Sequence, residues 1–332
     1  MAKYNANSVR VLDFPDNVRI KHGMYIGNND DNGIRQIWGE AVANALDEAA
    51  AGANTKVYLG FEKDQFIIAD AGRGIPVEIH KDTKISTLTT VLTKLHAGAK
   101  ISQGKDSSYE TSFGTFGVGI SVTNALSASL DVYTYRDGWH HQRFEKGLVK
   151  SQVKKITKPP VFHFKNKGTV IVFTPDYSIF QKNAKFPLKE ALEWVNTTAY
   201  FYPKVEFTIE RKGKIKTIWH KKGAEALCLN KIAEMNAEAI SPIFTFQDKN
   251  AAIALQWTNS SEDSLVFYVS GFKTTSGTHV AAFNKLIKST LDRYKLKKQE
   301  YNAENLKVCS FSTPGLSCFI VLSSDFNAFG DI

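Results

Sequence analysis

The sequence predicts an α+β protein, a mixed sheet covered by helices on one face, followed by a second, smaller unit. Three observations predict it. Helix-period and strand-period stretches alternate only partly, which disfavours a doubly wound parallel sheet. A chain of 332 residues exceeds one average domain and suits two. A new run of elements opens near Gly223, dividing the chain into units 1–222 and 223–332.

In chain order, Ile34, Ile37, Trp38, Ala41, Val42, Ala45, Leu46 and Ala49 recur at three- and four-residue spacing, so Ile34 opens a helix that Gly52 ends. KVYLGFEKDQFIIAD alternates and predicts a hairpin. Residues 85–97 predict a helix. Residues 98–119 are polar and glycine-rich, long for a connection and suited to a functional lid. SVTNALS predicts a helix; SLDVYTYR, HHQRFEK and GTVIVFTP predict strands. A helix over Leu188 to Thr198 precedes the hairpin VEFTIERKGKIKTIWH. The second unit carries the strands AAIALQW, LVFYVSGF and CFIVLSSDFNAF, and a helix from His279 to about Leu296.

Composition excludes several classes. Hydrophobic residues are 43% and charged residues 23%, ordinary for a globular chain and wrong for a disordered or collagen-like one. No run approaches the ~18 apolar residues of a membrane span, and MAKYNANSVR lacks the apolar stretch of a secretory signal. Cys228, Cys309 and Cys318 are scattered without metal-ligand spacing, as for reduced thiols in a cytoplasmic compartment. Lys plus Arg number 42 against 33 acidic residues, a net charge of +9 that favours a polyanionic partner.

Three constellations carry chemistry. Glu40, Asn44, Asp47 and Glu48 stand at i, i+4, i+7 and i+8 of the first long helix, on one face. That face is either solvated or the wall of a pocket, with a carboxylate base and an amide metal ligand one turn apart. Next, Asp70-Ala71-Gly72-Arg73-Gly74-Ile75-Pro76 is a turn, or a place where a carboxylate accepts from an exocyclic amine and glycines admit a flat base. Last, Gly114-Thr115-Phe116-Gly117-Val118-Gly119-Ile120 leads into a helix and can wrap phosphate oxygens with backbone N–H groups. It follows no predicted strand and lacks a closing Lys-Ser/Thr, so it is neither a dinucleotide fingerprint nor a P-loop.

In this order and spacing, E-x-x-x-N, D-x-G-x-G-I-P and G-x-x-G-x-G resemble the GHKL (Bergerat-fold) ATPases. GMYIG, NALDEA, DAGRGIP, LHAGAK, FGVGISVTNALS, Gly168-Thr169, ALQW and GTH narrow the resemblance to the ATPase region of bacterial or phage-type type II DNA topoisomerases, the gyrase B and topoisomerase IV family. The resemblance implies a GHKL α/β sandwich in 1–222 with an N-terminal dimerisation arm. In 223–332 it implies a transducer domain of ribosomal-protein-S5-like fold, incomplete at its C-terminal end. It implies ATP and Mg²⁺, a homodimer formed on ATP binding, double-stranded DNA as partner, and a cleavage domain and tyrosine-nucleophile subunit outside this chain.

The family's roles map onto matching positions. Glu40 is the expected general base and Asn44 the Mg²⁺ ligand. Asp70 is expected to bind the adenine amine, with Gly74 giving close approach and Thr169 support. Arg73, Ile75, Pro76 and Arg136 would border the adenine. Lys100 and Gly114, Thr115, Phe116, Gly117, Val118, Gly119 and Ile120 would form the phosphate lid with Tyr109. Tyr4 would reach the partner's nucleotide. Asp47 and Glu48 are expected to be structural, holding the helix face and Arg73.

Four departures from the family pattern, Ala43, Glu110, Phe113 and Lys21-His22, suggest a divergent, phage-type member. The family's γ-phosphate lysine, on a Q-T-K turn after the last strand, is expected beyond Ile332. Lys285, Lys288, Arg293, Lys295, Lys297 and Lys298 form either a solvated helix face or the wall of a DNA cavity. Competing readings are a MutL-like or Hsp90-like ATPase, which GMYIG, LHAGAK and ALQW disfavour, and a non-catalytic nucleotide binder, which Glu40 disfavours.

Overall fold

Alternating residues between Lys56 and Ile218 zip into one sheet, and the helical stripes pack onto it. The computed structural model describes residues 12–97, 118–159, 164–247, 251–260, 264–269, 272–301 and 316–322. The chain divides into two compact units, Met1–Trp219 and His220–Ile332.

The first unit runs α1 (Asp16–Ile20), α2 (Gly23–Ile26), α3 (Asp31–Ala50), β1 (Lys56–Glu62), β2 (Gln65–Asp70), α4 (Thr87–Thr93), α5 (Gly119–Ala125), β3 (Ser127–Tyr135), β4 (Trp139–Glu145), β5 (Leu148–Val149), β6 (Lys154–Ile156), β7 (Thr169–Pro175), α6 (Leu188–Ala199), β8 (Glu206–Arg211) and β9 (Lys214–Ile218). Among the described residues the strands order as β5-β4-β3-β7-β2-β1-β8-β9, with β6 on β4. β1 and β8 pair in parallel, and every other pair is antiparallel.

The helix predicted from Ile34 starts three residues earlier, because the Asp30 carboxylate accepts from the backbone N–H groups of Asn32 and Gly33 and caps it. Its apolar stripe is buried from Ile34 to Leu46, with Ala49 half-buried, in one cluster with Leu59, Phe66, Ile68 and Phe173. The Trp38 ring meets Phe186 and Trp194 edge-on at 5.3 and 5.8 Å, joining α3 to α6. Emptying such a site costs about 3–5 kcal/mol. A second apolar cluster of Tyr58, Ile67, Tyr133, Trp139 and Val170 lies on the sheet's other face, with Ile156 and Phe164 packed on it. Irregular chain between β6 and β7 thus helps close the face that the helices leave.

The helix predicted over 85–97 is shorter, Thr87–Thr93. Lys94 turns extended and His96 takes a φ of +57°, which ends the helical ladder. Four threonines among its seven residues favour it weakly.

The second unit comprises α7 (Ala224–Glu234), β10 (Phe244–Gln247), β11 (Ala251–Trp257), β12 (Ser264–Val269), β13 (Phe272–Thr274), α8 (Thr278–Tyr301) and β14 (Leu316–Leu322). Its strands order as β10-β11-β14-β12-β13. β14 is central, antiparallel to β11 and parallel to β12. Phe267 and Phe283 pack at 5.7 Å between sheet and α8. Cys228 on α7 is a buried free thiol, and burial pushes its pKa up to about 12. No helix among the described residues is long and apolar enough to cross a membrane.

Candidate active site

The end of β2 delivers a carboxylate into the protein interior. Asp70 is 6% exposed and sits opposite Thr169, the first residue of β7. The Gly72 backbone N–H donates to its Oδ1 at 2.8 Å. Burial pushes the Asp70 pKa up to about 7; the Gly72 bond opposes the shift, the Glu48 charge adds to it, and the N–H and hydroxyl of Thr169 again oppose it. A carboxylate has roughly four lone-pair sites, so three internal donors leave room for one more.

The turn after Asp70 is clamped from three sides. Gly74 has a φ of +77°, and a Cβ there would stand 2.6 Å from the Tyr135 carbonyl oxygen and 2.9 Å from Thr134 Oγ1. Only glycine meets both demands. The buried Thr134 hydroxyl accepts from the Ile75 N–H at 2.7 Å and donates to the Ile75 carbonyl at 3.1 Å. Glu48 accepts from the Arg73 backbone N–H at 2.9 Å and from its guanidinium at 3.1 and 2.8 Å. Asn54, buried in the α3–β1 turn, accepts from the Ala71 N–H at 3.0 Å and donates to the Ala45 carbonyl at 3.0 Å. Ile75 is partly buried against the main core, and Pro76 is half-buried. Arg136 follows the residue whose carbonyl abuts Gly74, and its Nε is buried without a partner among the described residues.

Helix α3 supplies the other half. The Gln36 amide donates to Glu40 Oε1 at 2.9 Å, and the Asn44 amide donates to the Glu40 carbonyl at 2.9 Å. Among the described residues nothing donates to the Asn44 amide oxygen. The second Glu40 carboxylate oxygen lies where a Cβ on Gly119 would stand, so any larger residue would displace it. Helices α3 and α5 are tied by the Thr123 hydroxyl, which donates to the Ile37 carbonyl at 2.9 Å.

The four acidic and amide residues of α3 do not act as one face. Asp47 is buried and its charge acts on Tyr202, whose pKa burial raises first. Glu48 holds Arg73. Ala43 is buried in the helix packing. Val118 and Ile120 send their side chains into the core, so only their backbone groups are available to a ligand. Tyr4, Lys100, Tyr109, Gly114, Thr115, Phe116 and Gly117 lie outside the described residues, as do Glu110 and Phe113. Sequence reasoning missed Thr134 and Asn54: one reads as an ordinary strand threonine, the other as a turn residue.

The residues present fit a nucleotide with a hard cation. Asp70 has a spare acceptor site, Arg136 an unmet donor, and Asn44 an unused amide oxygen. Among the described residues no three His, Cys, Asp or Glu converge as a metal cage. A cation here would therefore lean on ligand phosphate oxygens, the usual arrangement for Mg²⁺.

The family described as "Histidine kinase-, DNA gyrase B-, and HSP90-like ATPase" matches residues 29–179. DNA gyrase B of Treponema denticola is 34% identical over 309 residues, 90% of this chain and 47% of that protein. The mitochondrial DNA gyrase B of Arabidopsis thaliana is 31% identical, over 96% of this chain and 45% of its own length. The chain thus spans about half the length of these relatives. Among solved structures, the topoisomerase IV ATP-binding domain of Francisella tularensis superposes with a TM-score of 0.69 at 26% identity, covering 94% of this chain and 82% of that one. The 43K ATPase domain of Thermus thermophilus gyrase B shares the fold, with a TM-score of 0.76 at 24% identity over 93% of this chain and 81% of that one. Motifs, fold and homology together make residues 29–179 a domain of the histidine kinase-, DNA gyrase B- and HSP90-like ATPase family, within a chain similar to DNA gyrase B over about nine-tenths of its length.

Proposed function

We propose that this chain binds ATP, hydrolyses it with Mg²⁺ and serves as the nucleotide-operated gate of a type II DNA topoisomerase. The observation that carries this reading is a buried carboxylate with a spare acceptor site at the end of β2, in a turn bound by Glu48 of α3, the helix that also holds a carboxylate and an amide one turn apart.

Asp70 accepts from the exocyclic amine of adenine, while Thr169 holds Asp70 in place. Gly74 lets the base lie against the backbone, and Arg73, Ile75, Pro76 and Arg136 border it. Glu40 orients a water molecule and takes its proton as the water oxygen bonds to the γ-phosphorus. The bond from that phosphorus to the bridging oxygen breaks, and ADP leaves with the bridging oxygen. Backbone N–H groups at Val118, Gly119 and Ile120, with Lys100 and Gly114 to Gly117, hold the phosphates. Asn44 would hold Mg²⁺, which when bound neutralises phosphate charge.

On the same reading, residues 1–222 form the ATPase domain and 223–332 the transducer. Nucleotide closes a homodimer through Tyr4 and the lid with Tyr109. The dimer captures a DNA duplex, with the exposed Lys285, Lys288 and Arg293 of α8 facing its phosphates, and a cleavage domain and a tyrosine-bearing gyrase A-like subunit complete the enzyme. This is linkage: a nucleotide that prefers the dimer must promote it.

Glu40→Gln tests the core of the proposal. The amide keeps size and loses only the proton acceptor, so ATP affinity by calorimetry stays within about twofold. Phosphate release falls by at least ~10². Turnover near that of the unaltered chain removes Glu40 from the role.

A further inference from the structure

We propose that the first unit carries a second anion site, a cleft for phosphate groups at the end of the large sheet remote from Asp70. It stands independently of the nucleotide reading. The cleft has a volume of about 240 Å³. It opens at the start of β2, about 17 Å from Asp70 at the ~3.4 Å rise of an antiparallel strand. That volume is below the ~300 Å³ typical of drug-sized ligands and suits phosphate groups better than a whole nucleotide.

Two hairpin tips and one strap build it. β1 and β8 run in parallel with Phe61 opposite Arg211, so the β1–β2 and β8–β9 turns project side by side. Lys63 and Lys212 occupy those turns with φ of +50° and +49°. The strap between β7 and α6 adds Lys185 and Tyr177.

The charges are unbalanced. Lys63, Lys185, Arg211 and Lys212 line the cleft with a single carboxylate, Asp64, to which the Tyr177 hydroxyl donates at 3.5 Å. Among the described residues none of the four cationic side chains lies within 4.0 Å of a carboxylate. Four like charges within about a Debye length repel one another, and a multivalent anion relieves that repulsion.

The walls are preorganised. The Asn29 amide donates to the Ile179 carbonyl at 3.0 Å, the Gln181 N–H donates to the Asn29 carbonyl at 2.8 Å, and the Lys185 N–H donates to Asp31 at 2.8 Å. These bonds hold the strap to the start of α3. Beneath it the rings of Phe61, Phe66 and Phe186 pack at 4.6–6.1 Å. With the backbone of the cleft fixed in this way, phosphate binding has only the exposed cationic side chains to order.

The shared chemistry is phosphate, and its source is either a free oligophosphate or a nucleic-acid backbone. The test uses the full chain without nucleotide; the α3 pocket is common to the unaltered chain and the variants and contributes equally to both. Inorganic pyrophosphate is titrated by calorimetry and a 20-base-pair duplex by fluorescence anisotropy, against the variant Lys63→Asn/Arg211→Gln/Lys212→Asn. Asparagine keeps the left-handed turns while removing charge, and Lys185→Gln serves as a separate single-site variant. The expected result is at least tenfold weaker binding of one probe in the triple variant, and a smaller loss in Lys185→Gln, with melting temperature and affinity for a non-hydrolysable ATP analogue unchanged. Loss confined to pyrophosphate assigns the cleft to a free oligophosphate; loss confined to the duplex assigns it to a nucleic-acid backbone. Equal affinity of the unaltered chain and the triple variant for both probes, or no binding of either probe by the unaltered chain, overturns the proposal.

Discussion

The two halves of the candidate pocket are built by different physics. The half around Asp70 is assembled from strand ends and a turn, and its polar groups are held by hydrogen bonds from elsewhere in the chain. Thr134 comes from β3, Thr169 from β7, Glu48 from α3 and Asn54 from the α3–β1 turn. The half around Glu40 and Asn44 sits on one helix, where the Gln36 and Asn44 amides each donate to Glu40 across four residues. A half held by long-range bonds fits a rigid group such as a base. A half built on one helix beside a glycine fits chemistry that depends on where one carboxylate points.

The largest expected effect breaks the second half alone. Gly119→Ala places a Cβ on the Glu40 carboxylate and must push it aside. Hydrolysis then falls by ~10² or more, as for loss of a general base, while equilibrium binding of ATP changes little. Steady-state phosphate release beside calorimetric affinity measures the split; an equal fall in both would mean that Gly119 serves binding rather than the base.

Next in size is the first half's own carboxylate. Asp70→Ala removes an acceptor of charge-assisted hydrogen bonds, worth roughly 1.5–3 kcal/mol. ATP affinity should drop by about 10- to 100-fold, and hydrolysis at saturating ATP much less. Unchanged affinity would move the adenine elsewhere.

The same carboxylate predicts a pH dependence. Its folded pKa of about 7 lies above the ordinary 3.8. Its contribution to stability is therefore fully present below pH ~4 and is lost as pH rises toward 7, by at most about 1.4 kcal/mol per unit. Binding runs the other way, because an amine donor prefers the ionised carboxylate. ATP affinity should rise up to tenfold per unit toward pH 7 and level off above it. Calorimetry in buffers of different ionisation enthalpy should show a proton released on binding at pH 6, and Asp70→Asn should abolish that release.

The smallest effect concerns the clamp on Ile75. Thr134→Val keeps shape and removes one hydroxyl that both accepts and donates. A loss of about 1 kcal/mol in ATP affinity is expected, with turnover at saturation unchanged and the affinity restored in Thr134→Ser. A fall in melting temperature without a change in affinity would make Thr134 purely structural.

Much of this was legible in the sequence. The α3 stripe, both hairpins of the first unit and the strands around Asp70 follow from periodicity, because a helix face and a pleated strand impose their periods on any buried surface. Positions Glu40, Asn44, Asp70 and Gly74 were legible because each belongs to a spaced motif. Tertiary structure alone decided the rest. Asp47 and Glu48 differ by one position on the same helix, yet one is buried near Tyr202 and the other holds Arg73. Which direction each takes depends on what packs against α3, not on its own period. Neither Thr134 nor Asn54 shows its role locally, since the groups they hold at the site, Ile75 and Ala71, lie 59 and 17 residues away. The raised pKa of Asp70 comes chiefly from burial at a strand end. The four cations of the remote cleft come from the turn at Lys63, the strap at Lys185 and the hairpin end at Arg211 and Lys212, so only the parallel pairing of β1 with β8 and the packing of the strap bring them together.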